Sequence, residues 1–155
     1  MSIADLYDED FYLWTQAQAE ALRTEARRRR GGSNTVDWAR LAEEVGDMGA
    51  RDVRECFSRV RTILEHLWKL EVSTSAEPRR GWTETVLTQR GDLADALTPT
   101  IRGIMEEQLA TAHERALASA AKSLGLYEPE AVARLDPQRR WSLAQVLGEQ
   151  NDPLG

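Results

Sequence analysis

Two histidines, His66 and His113, are the first residues to test for chemistry, because imidazole titrates near neutrality and ligates metals. Metal centres in helical bundles draw a Glu-x-x-His pair from each of two helices. Ile63 and Ala110 stand three residues before these histidines, so that pattern is absent. His66 has Arg59, Thr62 and Lys69 within one or two helical turns, and cations discourage a divalent ion. It reads as a hydrogen-bonding residue at the edge of a core. His113 falls on an apolar arc with Met105, Leu109, Ala116, Leu117 and Leu124. A buried imidazole needs a partner. Glu106, two turns earlier on nearly the same bearing, or a carboxylate of another helix is the expected one, and such a pair would raise the imidazole pKa. The functional alternative is a polar pocket around His113 and Glu106 with Glu43 or Glu44 from the second helix.

Glu43 and Glu44 look like paired carboxylates, but neighbouring helix residues point about 100° apart and cannot both face one substrate. Each is expected in a salt link or on a solvated face. The single Cys56 cannot pair within the chain and lies on an apolar stripe, which reads as a small buried hydrophobe in a reducing compartment. There is no P-loop, Gly-x-Ser-x-Gly or zinc-ligand spacing. No reaction can be named from these residues, and no metal or cofactor is expected.

The elements that must position them are helices. From Asp37 to Val72, apolar or small residues recur at 38, 41, 45, 49, 53, 56, 60, 63, 67 and 70, a three-or-four spacing that is helix and not strand. Through Val72 the apolar arc spans roughly 200°, about twice the stripe of a one-sided surface helix, so this helix should be covered on two sides. Asp37 can cap it, and Val36 with Leu41 has the spacing of a hydrophobic staple. Unbroken, it would run roughly 54 Å, against a diameter near 40 Å for a compact domain of this length. Gly46 and Gly49 would each weaken the helix by roughly 1 kcal/mol, so a break or kink is expected there.

A first helix is expected from about Asp8 to Arg29, with Asp8, Glu9 and Asp10 at its start and Arg27 to Arg30 at its end, the charge order that the helix dipole favours. Gly31 and Gly32 would stop it. After a polar connection from Ser73 to Arg80, a third helix is expected over about Trp82 to Leu97. A fourth should run from Pro99 to about Leu124, closed by Gly125 with Leu126 folding back on its last turn. A short helix near Glu130 to Leu135 and another over about Leu143 to Leu147 follow, the last with a Ser142–Gln145 capping box and a Trp141–Val146 staple. The five tryptophans, Trp14, Trp38, Trp68, Trp82 and Trp141, sit at helix starts or on apolar stripes and read as core residues. The expectation is an all-α bundle of about four main helices in a single domain over residues 1–155.

The formal net charge of −6 argues against a general nucleic-acid or anionic-membrane surface. No run of about 18 apolar residues exists and the first ten residues are acidic, so the protein is expected to be soluble and cytoplasmic. The arginine run is expected to be a helix end, with phosphate binding as its alternative.

The order of landmarks resembles a family of bacterial proteins known as domain of unknown function 29. The stretches that carry the resemblance are Tyr7-Asp8-Glu9-Asp10-Phe11-Tyr12-Leu13-Trp14, Leu41-Ala42-Glu43-Glu44-Val45 with Met48-Gly49, and Leu64-Glu65-His66-Leu67-Trp68-Lys69. Trp82 with Gln89-Arg90, and Trp141 with Gln145-Val146-Leu147, extend it over nearly the whole chain. The resemblance implies a compact helical fold and carries over no catalytic residue. Wide apolar arcs without organised chemistry favour a non-enzymatic protein–protein interaction module, with a protein partner or self-association expected and no nucleic acid or membrane. The rivals are a small-ligand protein or enzyme at the His113 pocket, and a nucleic-acid-linked accessory protein using the arginines.

Overall fold

Asp10 divides the first expected helix in two. The acidic run is a joint: α1 is Ile3–Glu9, Asp10 caps it, and α2 begins at Phe11 and ends at Arg28. The structure, a computed structural model, describes residues 2–29 and 35–155. The expected stop at Gly31 and Gly32, and Arg30 before them, lie outside the described residues. The remaining helices are α3 (Trp38–Val72), α4 (Ala76–Ala96), α5 (Pro99–Tyr127), α6 (Pro129–Val132) and α7 (Leu143–Leu147). The described residues contain no strand, and the protein is all-α.

Of the break or kink expected at Gly46 and Gly49, the break is absent from α3. α3 is one α-helix of 35 residues that runs through both glycines. Asp37 Oδ1 accepts from the Arg40 amide at 3.0 Å and caps its start. Gly49 is fully helical because its missing side chain is used for packing. A Cβ there would collide with Thr15 Oγ1 and come within 2.9 Å of Gln16 Nε2 and 3.1 Å of Tyr12 Cδ2, all on α2. Gly46 has more room, since a Cβ would meet Ala19 Cβ at an ordinary 3.6 Å.

The chain divides into two compact units, and α3 and α5 each contribute to both. The first comprises Met1–Glu55 and Thr98–Gly103. Asp10 is buried in it. Oδ1 accepts from the Leu13 amide at 3.0 Å and Oδ2 from the Thr100 amide at 2.8 Å, so one carboxylate caps the starts of α2 and α5. Burial alone would raise its pKa, but these amides and the threonine hydroxyls outweigh that and lower it. Tyr7 of α1 meets Phe11 and Trp14 of α2 edge-on, with ring centroids 5.2 and 4.9 Å apart.

The second unit comprises Cys56–Leu97 and Ile104–Gly155. Ile63, Leu64, Trp68, Val86, Leu93, Met105, Leu143 and Val146 form its buried core. α4 starts earlier than its periodicity suggested, because Pro78 stands in a first turn whose amides have no helical acceptor in any case. Only residues 73–75 connect it to α3. Arg79 of α4 donates back to the carbonyls of Leu70 and Ser73, and Arg134 Nε donates to the Val72 carbonyl at 2.9 Å. Two guanidiniums thus satisfy the C-terminal carbonyls of α3. Glu128 ties this turn to the start of α6, accepting from Ser73 Oγ at 2.5 Å and the Thr74 amide at 3.2 Å. α5 continues past Gly125 to Tyr127, and Leu126 is exposed instead of folding back. α7 carries the expected capping box, with Trp141 and Val146 both buried. Arg90 locks the end of α7. Its guanidinium donates to the carbonyls of Val146 and Gln145 and, through both Nη atoms, to Asp152. Gly148 at φ +75° leaves room for that guanidinium, which a Cβ would meet at 2.8 Å.

Candidate functional site

His113 is buried as its helical bearing required, but its partners differ from those expected. Nδ1 lies 2.9 Å from the Leu109 carbonyl one turn earlier, and Nε2 lies 3.0 Å from the backbone nitrogen of Trp141. A carbonyl can only accept and an amide can only donate, so the ring is neutral with its proton on Nδ1. Glu106 is exposed and does not pair with it. The polar pocket expected around His113 and Glu106 is therefore not formed by these two residues. Burial lowers the imidazole pKa, the Leu109 bond opposes this, and Arg140 adds to the lowering. This reverses the expected direction. Trp68 and Trp141 complete the setting: Trp68 meets His113 and Trp141 edge-on at 5.6 and 4.9 Å, and Trp68 Nε1 donates to the Asp136 carbonyl at 3.3 Å. His113 links the segment before α7 to α5 through these two bonds.

The other nominated residues are dispersed. His66 is half-buried, with Nδ1 2.8 Å from the Thr62 carbonyl, and burial is the main cause of its lowered pKa. Glu43 and Glu44 are exposed. Glu43 pairs with Arg40 at 2.9 Å and Glu44 reaches Arg51 at 3.9 Å, as adjacent residues pointing apart should. Glu43 also lines an open cleft of about 390 Å³ in the first unit with Tyr12, Gln16, Arg23 and Asp47. Among the described residues no group of three or more His, Cys, Asp or Glu side chains could hold a metal ion. The arginine run is largely paired along its own helix: Arg27 with Glu20 at 3.5 Å, Arg28 with Glu25 at 3.2 Å, and Arg29 with Glu25. Arg29 also lies over the Trp38 ring, 5.0 Å from its centroid.

A second cleft, of about 230 Å³, lies in the second unit beside the last turns of α3. Arg79, Arg139, Glu71 and Trp141 line its polar part, and Leu67, Leu70 and Leu154 its apolar part. The Arg139 guanidinium lies over the Trp141 ring at 4.9 Å and approaches Glu71 at 2.9 Å. Its Nε–H does not point along that contact. Arg139 Nε and Trp141 Nε1 are both shut from solvent with no aligned acceptor among the described residues. Arg79 and Arg139 had no signal in the sequence, since nothing local joins a residue at the start of α4 to one just before α7.

The exposed surface is uneven. Of the nine large apolar side chains exposed among the described residues, Ile3, Tyr7, Leu13, Val36, Leu41 and Met48 belong to the first unit. α1 contains no buried residue at all. Leu41 and Met48 are seven apart on α3 and so share one face. No helix among the described residues is long and apolar enough to cross a membrane.

No curated protein matches the sequence. Among solved structures, the chain is similar to an α-helical protein of unknown function from Rhodospirillum rubrum, known from its crystal structure. The two are 28% identical with a TM-score of 0.74, over 95% of this chain and 92% of that one. The family model for domain of unknown function DUF29 matches residues 6–151, in agreement with the ordered landmarks from Tyr7 to Leu147, and the chain belongs to that family.

Proposed function

We propose that the protein is a non-enzymatic interaction module that docks a protein partner on the first unit. The observation that supports this reading is the concentration of exposed apolar side chains there, with Ile3 and Tyr7 on α1 and Leu41 and Met48 on α3. Asp8, Glu9 and Glu44 stand beside them in the sequence and are exposed. That combination suits a partner surface that is apolar at its centre and basic at its rim. Nucleic acid fits less well, because Arg27, Arg28 and Arg29 are compensated by Glu20 and Glu25. A cytoplasmic location belongs to the same reading, consistent with a single, buried cysteine.

Cross-linking mass spectrometry of the protein in lysate of its native cell tests the proposal. Cross-links from a partner to α1 and to the first turns of α3 are expected, and Leu41→Lys with Met48→Lys should abolish them while circular dichroism stays unchanged. A partner retained by the double variant, or linked only through the second unit, overturns the reading. Binding to duplex DNA that is lost in Arg28→Gln with Arg29→Gln would favour the nucleic-acid alternative.

A further inference from the structure

We propose that the 230 Å³ cleft of the second unit binds a small organic carboxylate with an apolar body, a role separate from the docking surface of the first unit. Two guanidiniums, Arg79 and Arg139, line the cleft against one carboxylate, Glu71, which leaves it one positive charge. Arg79 commits Nη1 to the Leu70 and Ser73 carbonyls, and no described residue engages its Nη2. The Arg139 guanidinium rests on the Trp141 ring, with its Nε 2.9 Å from Glu71 Oε1. No described residue engages either Nη of Arg139, and a carboxylate offers two oxygens to planar guanidinium donors. A single negative charge balances the lining. A phosphate dianion overcompensates it and is repelled by Glu71. Leu67, Leu70 and Leu154 also line the cleft, and these apolar side chains call for a hydrocarbon body. The volume falls below the roughly 300 Å³ at which drug-sized pockets begin, so the ligand is about the size of a single ring with its acid group.

Phenylacetate is the probe, read by the indole ¹⁵N–¹H signal of Trp141, which is assigned as the one lost in Trp141→Phe. A saturable shift of that signal is expected, with inorganic phosphate and benzylamine producing none. Arg139→Gln should weaken binding by about tenfold or more, the worth of one charged hydrogen bond. Glu71→Gln should tighten it several-fold, because the variant removes the competing and repelling carboxylate. A merely structural role for the Arg139–Glu71 pair predicts no such opposite pair of effects. The dispersion of the amide spectrum shows whether each variant is folded, and Arg139→Lys, which keeps the charge and loses the fork, substitutes if Arg139→Gln is not. The proposal is overturned by the absence of a saturable shift, by equal binding of phosphate or benzylamine, or by weaker binding in Glu71→Gln.

Discussion

Both nitrogens of the His113 ring are committed to backbone groups, one a carbonyl and one an amide, and protonation must break the bond to the Trp141 amide. The folded pKa lies below the unfolded value near about 6.5, so between the two the unfolded chain holds more protons. The contribution to stability is therefore complete above about pH 6.5 and is lost as pH falls through the folded value. His66, also lowered, acts in the same direction. Urea midpoints should drop between pH 7.5 and 5.5. His113→Leu should flatten part of that slope and cost roughly 1–3 kcal/mol at pH 7.5, because the Leu109 carbonyl and Trp141 amide lose their partner. An unchanged slope in that variant would show that the ring does not titrate as described. The burial of this residue was legible from its bearing on α5. Its partner was not, since Trp141 lies 28 residues away on another segment. Angular counting along one helix can nominate only that helix, and it nominated Glu106.

The two glycines of α3 make the same point for elements. Their effect on helix propensity was legible and suggested a break, but the reason for Gly49 is a neighbour: α2 passes so close that Thr15, Gln16 and Tyr12 occupy the space of a Cβ. Thr15 is β-branched, buried, and bonded through Oγ1 to the Tyr12 carbonyl at 2.6 Å, so it cannot yield cheaply. Gly49→Ala should destabilise by roughly 1–3 kcal/mol despite its better propensity. Gly46→Ala, with ordinary clearance from Ala19, should be neutral or stabilising by up to about 1 kcal/mol. Chemical denaturation of the two single variants checks this, and equal effects would return the glycines to a propensity role. The extents of α3 and α7 were readable because periodicity and caps agree there. α4 began earlier than expected: Pro78 is tolerated in its first turn, and Arg79 there donates back to the carbonyls of Leu70 on α3 and Ser73 just after it.

At the scale of the molecule, α3 continues across the boundary between the units at Glu55 and Cys56, and α5 across that at Gly103 and Ile104. Unfolding either unit alone would require ending two helices in mid-run, where no cap is available. We therefore expect one calorimetric transition with equal van't Hoff and calorimetric enthalpies, and two resolved transitions would make the units independent domains. The all-α class was legible from periodicity alone. The partition was not, because the first unit draws Thr98–Gly103 from far along the chain. The hydrogen bond from the Thr100 amide to Asp10 spans 90 residues. That separation also places the bond in time. During synthesis at about 5–20 residues per second, the segment ending at Glu55 waits roughly 2–10 seconds for the residues that occupy the second oxygen of Asp10. Until then the start of α2 has its bond to the Leu13 amide and its packing on α3, but not its link to α5. A nascent chain stalled after residue 90 should accordingly leave α2 open to protease, and one stalled well beyond residue 155 through an added linker should protect it.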